Sequence, residues 1–486
     1  MATPYESELA RELARRGLSR REILRIGARL GLSSASLATA LTLSGHGAAA
    51  SGRAGQSAAA IRAQGSIFDP QEGAEGPWPE TAVPEPTSPV TLAVAHAWDA
   101  TFMERQKQFD TLFTERHPNI TITAENTPFA DYLQKYTTQA AGGSLPDIMY
   151  CQFAWAQQLI EAELFQPLDD YISAQPDFNL EDFTEPSLVS YRSNDTLYGI
   201  PYDEGPGMLY YNQDLFDAAG VPVPDETWTL DRLKEVALQL TSGEGPEKIY
   251  GIGELPTPGD AGMAPAYLYP FGAKYVNEPD ETECLISQPE AVEAMQWWHE
   301  LREQGAVPSP EDLQNVAWPP FQFGRIAMTN QGTWATPPIR ENSKFKWDMA
   351  LWPEGPAAHS TYSAGSCYGI TRDAQNADAA WIYLNEYLST GGQSYMWGLT
   401  GRGSPARLSA WDSFLNSEFA SPGAKFAEQA LTTIASHEIL DKPTGSQVTQ
   451  TAGPIWEEVI AGNMTVEDAL NEVCASIEPL LAKNQS

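Results

Sequence analysis

Two short stretches of this 486-residue chain imitate reactive sites. Gly365-Ser-Cys-Tyr-Gly369 has the spacing of a nucleophile elbow, with the Cys367 thiol in the nucleophile's place. A strand beside a hinge explains the stretch better than covalent catalysis. Gly401-Arg-Gly403-Ser-Pro-Ala406 resembles a dinucleotide fingerprint, but Pro405 and the lack of a preceding strand argue against it. There is no His-Glu-x-x-His and no phosphate-cradling P-loop, and the six His residues show no ligand spacing. No catalytic residue, metal or cofactor is therefore expected. The chemistry left is recognition by aromatic rings, carboxylates and arginines placed where a ligand can reach them.

At this length one core is exceeded, and two domains are the default. The first 62 residues hold nine basic and four acidic side chains, leaving 20 basic against 60 acidic and a net charge of −40 beyond them. Such a surface repels nucleic acid and anionic lipid, so neither is expected as a partner. The four cysteines, Cys151, Cys284, Cys367 and Cys474, match no metal motif. Two disulfides could form outside the cell, and a buried free thiol is an equally good reading of each.

Periodicity predicts the elements that would carry the recognition residues. Residues 51–88, rich in Ala, Gly, Pro, Ser and Glu, read as a disordered tether. Val90 to Ala97 is a strand. A helix over Phe102–Arg116 follows, with Phe102, Phe109, Leu112 and Phe113 inward. Ile120 and Ile122 mark a second strand, a helix ends at Gly142-Gly143, and Leu145 to Tyr150 is a third strand. This alternation is an α/β lobe with a largely parallel sheet. Met208 to Tyr211 is a strand, Asp214 to Ala219 a short helix stopped by Gly220, and Thr229 caps a longer helix. Later strands are read at 250–254, 347–353 and 366–371. Helices are read from Pro289, over 378–388 and after the Thr465 cap.

The stretch from Ile200-Pro201 through Leu209-Tyr-Tyr-Asn-Gln-Asp-Leu-Phe216, Ala219-Gly-Val221 and Thr227-Trp228 is similar to the crossover segment of extracellular solute-binding proteins of the carbohydrate class. Gln213 stands where that pattern has Lys. Phe321-Gln-Phe-Gly-Arg-Ile-Ala-Met, followed by Gly332-Thr-Trp334, matches a second family motif, and Gly143-Ser-Leu-Pro-Asp-Ile148 resembles a first-lobe signature. The order and spacing of these motifs, covering roughly residues 88–482, are more specific than any one of them. The resemblance implies a two-lobed α/β fold of the periplasmic-binding-protein type II class, with lobes joined by a hinge with several crossovers. The expected boundaries are 89–203 plus 330–370 for the first lobe and 204–329 plus 371–486 for the second. It also implies no enzyme, a small-molecule carbohydrate ligand, ABC transporter permease subunits as partners, and a monomer.

The N-terminus adds a compartment. Ser19-Arg20-Arg21-Glu22-Ile23-Leu24-Arg25 resembles the twin-arginine export pattern, followed by a mild apolar region and Ala48-Ala49-Ala50 as a cleavage site. Residues 1–50 are read as that signal, delivering the protein to the periplasm or the outer face of the membrane.

In open α/β sheets ligands sit outside the carboxyl ends of strands, and two facing lobes make a cleft. Trp98 and Asp99 follow the first strand, and Gln152 and Trp155 the third. Asp203 and Glu204 sit at the crossover, with Ser366 on the strand near the hinge, and Glu254 ends a second-lobe strand. Arg402 lies in a turn, and Trp456 begins a late helix. Trp334 falls where the family's stacking Trp lies. These eleven residues are the ligand candidates, each weighed against core packing, helix capping or a solvated surface role. Ala154 and Trp155 replace polar ligand residues found in maltose-type members. The runner-up reading is the same fold binding glycerol 3-phosphate or another polyol phosphate, disfavoured by the acidic chain and few arginines. An exported enzyme lacks any cofactor motif, and a sensor role alongside transport is left open.

Overall fold

The computed structural model describes residues 68–485, except 176, 261–263, 279, 315, 317, 318 and 436–441. The twin-arginine reading and the tether up to residue 67 lie outside the described residues.

Along the chain the strands are β1 (Val90–His96), β2 (Ile120–Asn126), β3 (Ile148–Gln152), β4 (Arg192–Ser193), β5 (Thr196–Leu197), β6 (Ile200–Asp203), β7 (Gly207–Asn212), β8 (Tyr250–Ile252), β9 (Ile326–Gly332), β10 (Trp347–Leu351) and β11 (Ser366–Ile370). They form two main sheets, in the orders β2-β1-β3-β11-β6 and β10-β7-β9-β8, plus a β4-β5 ribbon. In the first sheet β1 is parallel to β2 and β3, whereas β11 runs antiparallel to β3 and β6. Helices cover both sheets, and the result is the two-lobed architecture expected.

Both lobes form for local reasons. Asp99 accepts the Phe102 amide at 2.8 Å and starts the helix Ala100–Arg116. That helix buries Phe102, Phe109 and Phe113. Leu112, expected inward, is only partly buried. Gly220 ends the helix Gln213–Ala219 at φ 66°, a backbone conformation that favours glycine. Thr229 and Thr465 cap their helices through their hydroxyls, as their positions predict.

Three crossings join the lobes side by side. Glu204, Gly205 and Pro206 carry the chain from β6 to β7. The chain returns between β10 and β11, where Pro206 bridges Ser363. It crosses again past Pro405, which bridges Asp203, toward the helix Lys425–Ala430 on β10 and β7.

Three expectations are corrected. Residues 68–88 are not a loose tether. Phe68 is buried, the Trp78 ring packs edge-on against Phe109, and buried Arg105 donates to the carbonyls of Asp69, Glu72 and Tyr395. Polar composition hid a segment anchored by two aromatic rings and one arginine. Second, β10 lies within the span 330–370 assigned to the first lobe, yet pairs with β7 in the second sheet from Trp347↔Asn212 to Leu351↔Met208. Third, the helix Ala377–Tyr387, assigned to the second lobe, packs on β1 and β11, with Tyr383 and Tyr387 against Phe109. Partner choice among strands is a long-range decision that local periodicity does not contain.

Of the cysteines, Cys284 and Cys474 form a disulfide that ties the segment before the helix Pro289–Glu303 to the helix Val466–Leu481. Cys151 and Cys367 face each other in the β3–β11 register as buried thiols.

Candidate functional site

The carboxyl ends of β3, β6 and the start of β11 meet at the crossings. Ser366 opposes Gln152 on one side and Asp203 on the other. The Ser366 amide donates to Asp203 Oδ1 at 2.7 Å, and its hydroxyl donates to Tyr150 Oη at 3.2 Å. Burial pushes the Asp203 carboxyl up to about 7, against the opposing pull of the Ser366 amide and Arg402.

Glu204 turns away from this edge. It is fully buried, accepts from the Thr184 hydroxyl at 2.6 and 2.7 Å, and its backbone carbonyl accepts from Ser404 Oγ. Burial raises its carboxyl to about 7. Its geometry braces the hinge.

Trp334 lies over the crossing from the second lobe. A Cβ at Gly205 would come within 2.4 Å of its ring, and one at Gly332 within 1.9 Å, so both glycines are shaped around the indole. Tyr362 lies 6.2 Å from it, centroid to centroid. Farther along the second lobe, Glu254 lies two residues past the end of β8 and accepts from Gln331 Nε2 at 3.1 Å. Burial raises its carboxyl despite that bond. Burial and the Glu254 charge together push Asp260 up to about 6.

Trp98, Asp99 and Arg402 form a separate group on the first lobe. The guanidinium of Arg402 sits 4.8 Å over the Trp98 ring and 4.3 Å over Phe102, and it bonds Asp99 at 2.5 Å. Burial works to raise the Asp99 carboxyl, but Arg402 and the Phe102 amide outweigh it and hold the group below its ordinary value. Trp98 is 6% exposed, with Tyr202 edge-on at 5.3 Å.

Trp155 stacks on Phe129 at 5.0 Å and 27°, and Tyr132 lies 6.1 Å from it at 14°. Trp456 does not begin a helix. It lies inside Gly445–Ile460, buried and 6.3 Å from His299 of the helix Pro289–Glu303. Pro454 inside that helix made residue 456 look like a start.

The geometry thus brings Gln152, Asp203, Ser366 and Trp334 around the crossings, and sets Trp98, Asp99 and Arg402 beside them. Sequence reasoning missed Tyr150, Phe129, Gln331 and Asp260. The strand-end rule would have found Phe129, three residues past β2, and Tyr150 near the end of β3. Asp260 sits in a loop with no local signal. Among the described residues no cluster of His, Cys, Asp and Glu could hold a metal, and no helix is long and apolar enough to cross a membrane.

Two lobes, three crossings and the polar and aromatic side chains gathered beside them make up the candidate site. The bacterial extracellular solute-binding protein family matches residues 95–394, and the chain belongs to that family. It is similar to a lactose-binding protein of Rhizobium radiobacter, 26% identical over 326 residues, spanning 64% of this chain and 74% of that one. It is also similar to a maltotriose-binding protein of Pyrococcus abyssi, 24% identical over 282 residues, 55% of each chain. Among solved structures, an ABC substrate-binding protein of Listeria monocytogenes in complex with cycloalternan shares the fold, with TM-score 0.71 and 22% identity over 82% of this chain and 99% of that one. The GacH receptor of Streptomyces glaucescens, known in complex with acarbose, gives TM-score 0.68 and 21% identity over the same shares. The family and these neighbours are binding proteins.

Proposed function

We propose that the protein captures an uncharged saccharide between its lobes outside the cytoplasm and delivers it to the permease of an ABC importer. Closure about the three crossings would bury the ligand between β-strand ends of both lobes. The observation that carries this reading is the meeting of the Asp203–Ser366–Tyr150 hydrogen-bonded set with the Trp334 ring across Gly205. A flat indole covers the C–H face of a sugar, while the carboxyl and hydroxyls serve its rim. The lactose- and maltotriose-binding relatives support the substrate class. Export by the twin-arginine route, resting on residues 19–25, and action as a monomer belong to the same proposal.

One relative is a glycerol 3-phosphate-binding periplasmic protein of Shigella dysenteriae, 24% identical over 270 residues. A phosphate would need a free cation, whereas Arg402 is engaged by Asp99 and two rings, and Asp203, Glu254 and Asp260 bring acid to the region. Thermal-shift measurements on the full chain with neutral sugars, polyol phosphates and amino acids test the proposal, because a ligand of the folded state raises the melting temperature. A neutral saccharide is expected to raise it. A rise with a polyol phosphate and with no sugar would overturn the substrate class.

A further inference from the structure

Residues 68–88 cross the first lobe as a strap, and its two halves are held by different chemistry. The first half is pinned by Arg105, whose guanidinium stays charged at any working pH. The second half ends on a histidine. His117 closes the helix Ala100–Arg116 and is mostly buried, with the Phe113 ring 4.5 Å away. Its Nδ1 lies 2.5 Å from Oε1 of Glu85 in the strap, and its Nε2 lies 2.9 Å from Oε2 of Glu386 in the helix Ala377–Tyr387. The other charged neighbour is Arg116, the residue before it. The Arg116 Nε donates to Glu386 Oε1 at 3.0 Å, and its guanidinium lies 4.1 Å over the Trp78 ring. Asn119, two residues on, is neutral and donates to the Pro86 carbonyl at 2.8 Å. A carboxylate only accepts hydrogen bonds, and a neutral imidazole has one N–H to give. The imidazolium alone can donate to Glu85 and Glu386 together.

We propose that His117 is a proton-operated latch for the strap: charged, it ties Glu85 to Glu386, and neutral, it keeps one of them and loosens residues 79–88 from the lobe. Glu85 is the partner released. It is half exposed, so water replaces its bond, whereas Glu386 is buried and holds its place beside Arg116. Burial works to lower the pKa of the imidazole, but the bonds and charges of Glu386 and Glu85 outweigh it and hold the group above its ordinary value. The latch is therefore fully closed below the ordinary histidine value and opens as pH rises through the folded one. The other ties on the second half are neutral. Gln175 Nε2 donates to the Glu80 carbonyl at 2.7 Å, and Gln175 Oε1 accepts the Ala82 amide at 2.8 Å. These do not titrate, so the strap loosens without the lobe unfolding. Burial pushes Asp110, earlier in the same helix, up to about 7, but its bonds are to Gln106 and Tyr383. Its titration acts on the lobe as a whole and not on one half of the strap.

Hydrogen–deuterium exchange of the full chain at pH 6 and pH 9, read by mass spectrometry and corrected for the intrinsic rate at each pH, tests this. Exchange over residues 79–88 should quicken about fivefold from pH 6 to pH 9, while residues 68–78 keep their rate. In Glu85→Gln the side-chain amide pairs with either form of the imidazole, and in His117→Gln there is no proton to lose. Both variants should exchange residues 79–88 at the same rate at the two pH values. Because Glu85 is half exposed, its variant should fold as the native chain does, so a lost pH dependence reports the latch. Equal exchange of residues 79–88 at both pH values in the native chain overturns the proposal. So does loosening of residues 68–78 in step with 79–88, or the native pH dependence kept in either variant.

Discussion

The two lobes are held together by different means. The first is tied by rings and one arginine. Trp98, Tyr150, Tyr202 and Tyr368 pack within about one ring of each other, and Arg105 pins residues 68–78 across the helix Ala100–Arg116. The second is tied by a covalent bond, Cys284–Cys474, between segments 190 residues apart in sequence. Their cleft edges differ in the same sense. The first offers packed aromatics with Asp203 at the crossing, and the second offers the acids Glu254 and Asp260 and, over Gly205, the Trp334 indole. A lobe built on ring packing presents a preformed surface. Buried acids with raised carboxyls stand at both edges, Asp203 in the first lobe and Asp260 in the second, so pH acts on both and the contrast lies in ring packing against a covalent tie.

Breaking the covalent tie should have the largest effect. Replacing Cys284 and Cys474 by Ser should cost about 2–5 kcal/mol, read as a lower denaturant midpoint in oxidising buffer. Reductant should lower the native midpoint toward that of the variant. Removing the first lobe's pin comes next. Arg105→Ala leaves the carbonyls of Asp69, Glu72 and Tyr395 without this donor and should cost about 2–3 kcal/mol. Proteolysis should then open the chain first within residues 68–88. Trp334→Ala sharpens the comparison at the cleft, and should weaken saccharide binding at least tenfold, about 1.4 kcal/mol, by titration.

The acids give a smaller, signed effect. The folded Asp203 carboxyl titrates at about 7 and the unfolded one near its ordinary value. Between those values the folded state holds the extra proton, so stability falls as pH rises toward 7 and is regained on acidification. Asp260, at about 6, acts in the same direction. Asp99, held low, acts oppositely and loses stability in acid. Asp203→Asn should therefore show a smaller difference in melting temperature between pH 5 and pH 8 than the native chain. A variant with the native difference would assign the slope to other groups. The smallest effect belongs to the half-exposed ion pair. Asp99→Asn keeps the helix cap and should change stability by less than about 1 kcal/mol.

Much of both lobes was legible in the chain because the signals are local. Asp99, Thr229 and Thr465 sit one residue before apolar periodic runs, where an oxygen side chain satisfies free helix amides. Gly220 stands where only a left-handed residue ends a helix. The crossover was readable from Ile200 to Trp228 because Pro, Gly and aromatic runs set its turns in order. The strand-end rule picked out Gln152 and Asp203, and the sheet register sets both beside Ser366 at the start of β11. The reading of Trp456 as a helix start failed because a proline lies inside that helix, and Glu204 follows a strand but turns into the hinge.

Sequence alone thus determined the alternation of strands and helices, the caps, the acidic surface and the order of the motifs. Each depends on neighbours within a few residues or on composition. Tertiary structure alone decided that β10 joins the second sheet and that residues 68–88 bind the first lobe. It also decided that Cys284 pairs with Cys474 while Cys151 and Cys367 remain thiols, and that Phe129 meets Trp155. Each of these joins segments distant in the chain, and the choice among partners is settled by which packing buries the most apolar surface while pairing most of the polar groups it covers.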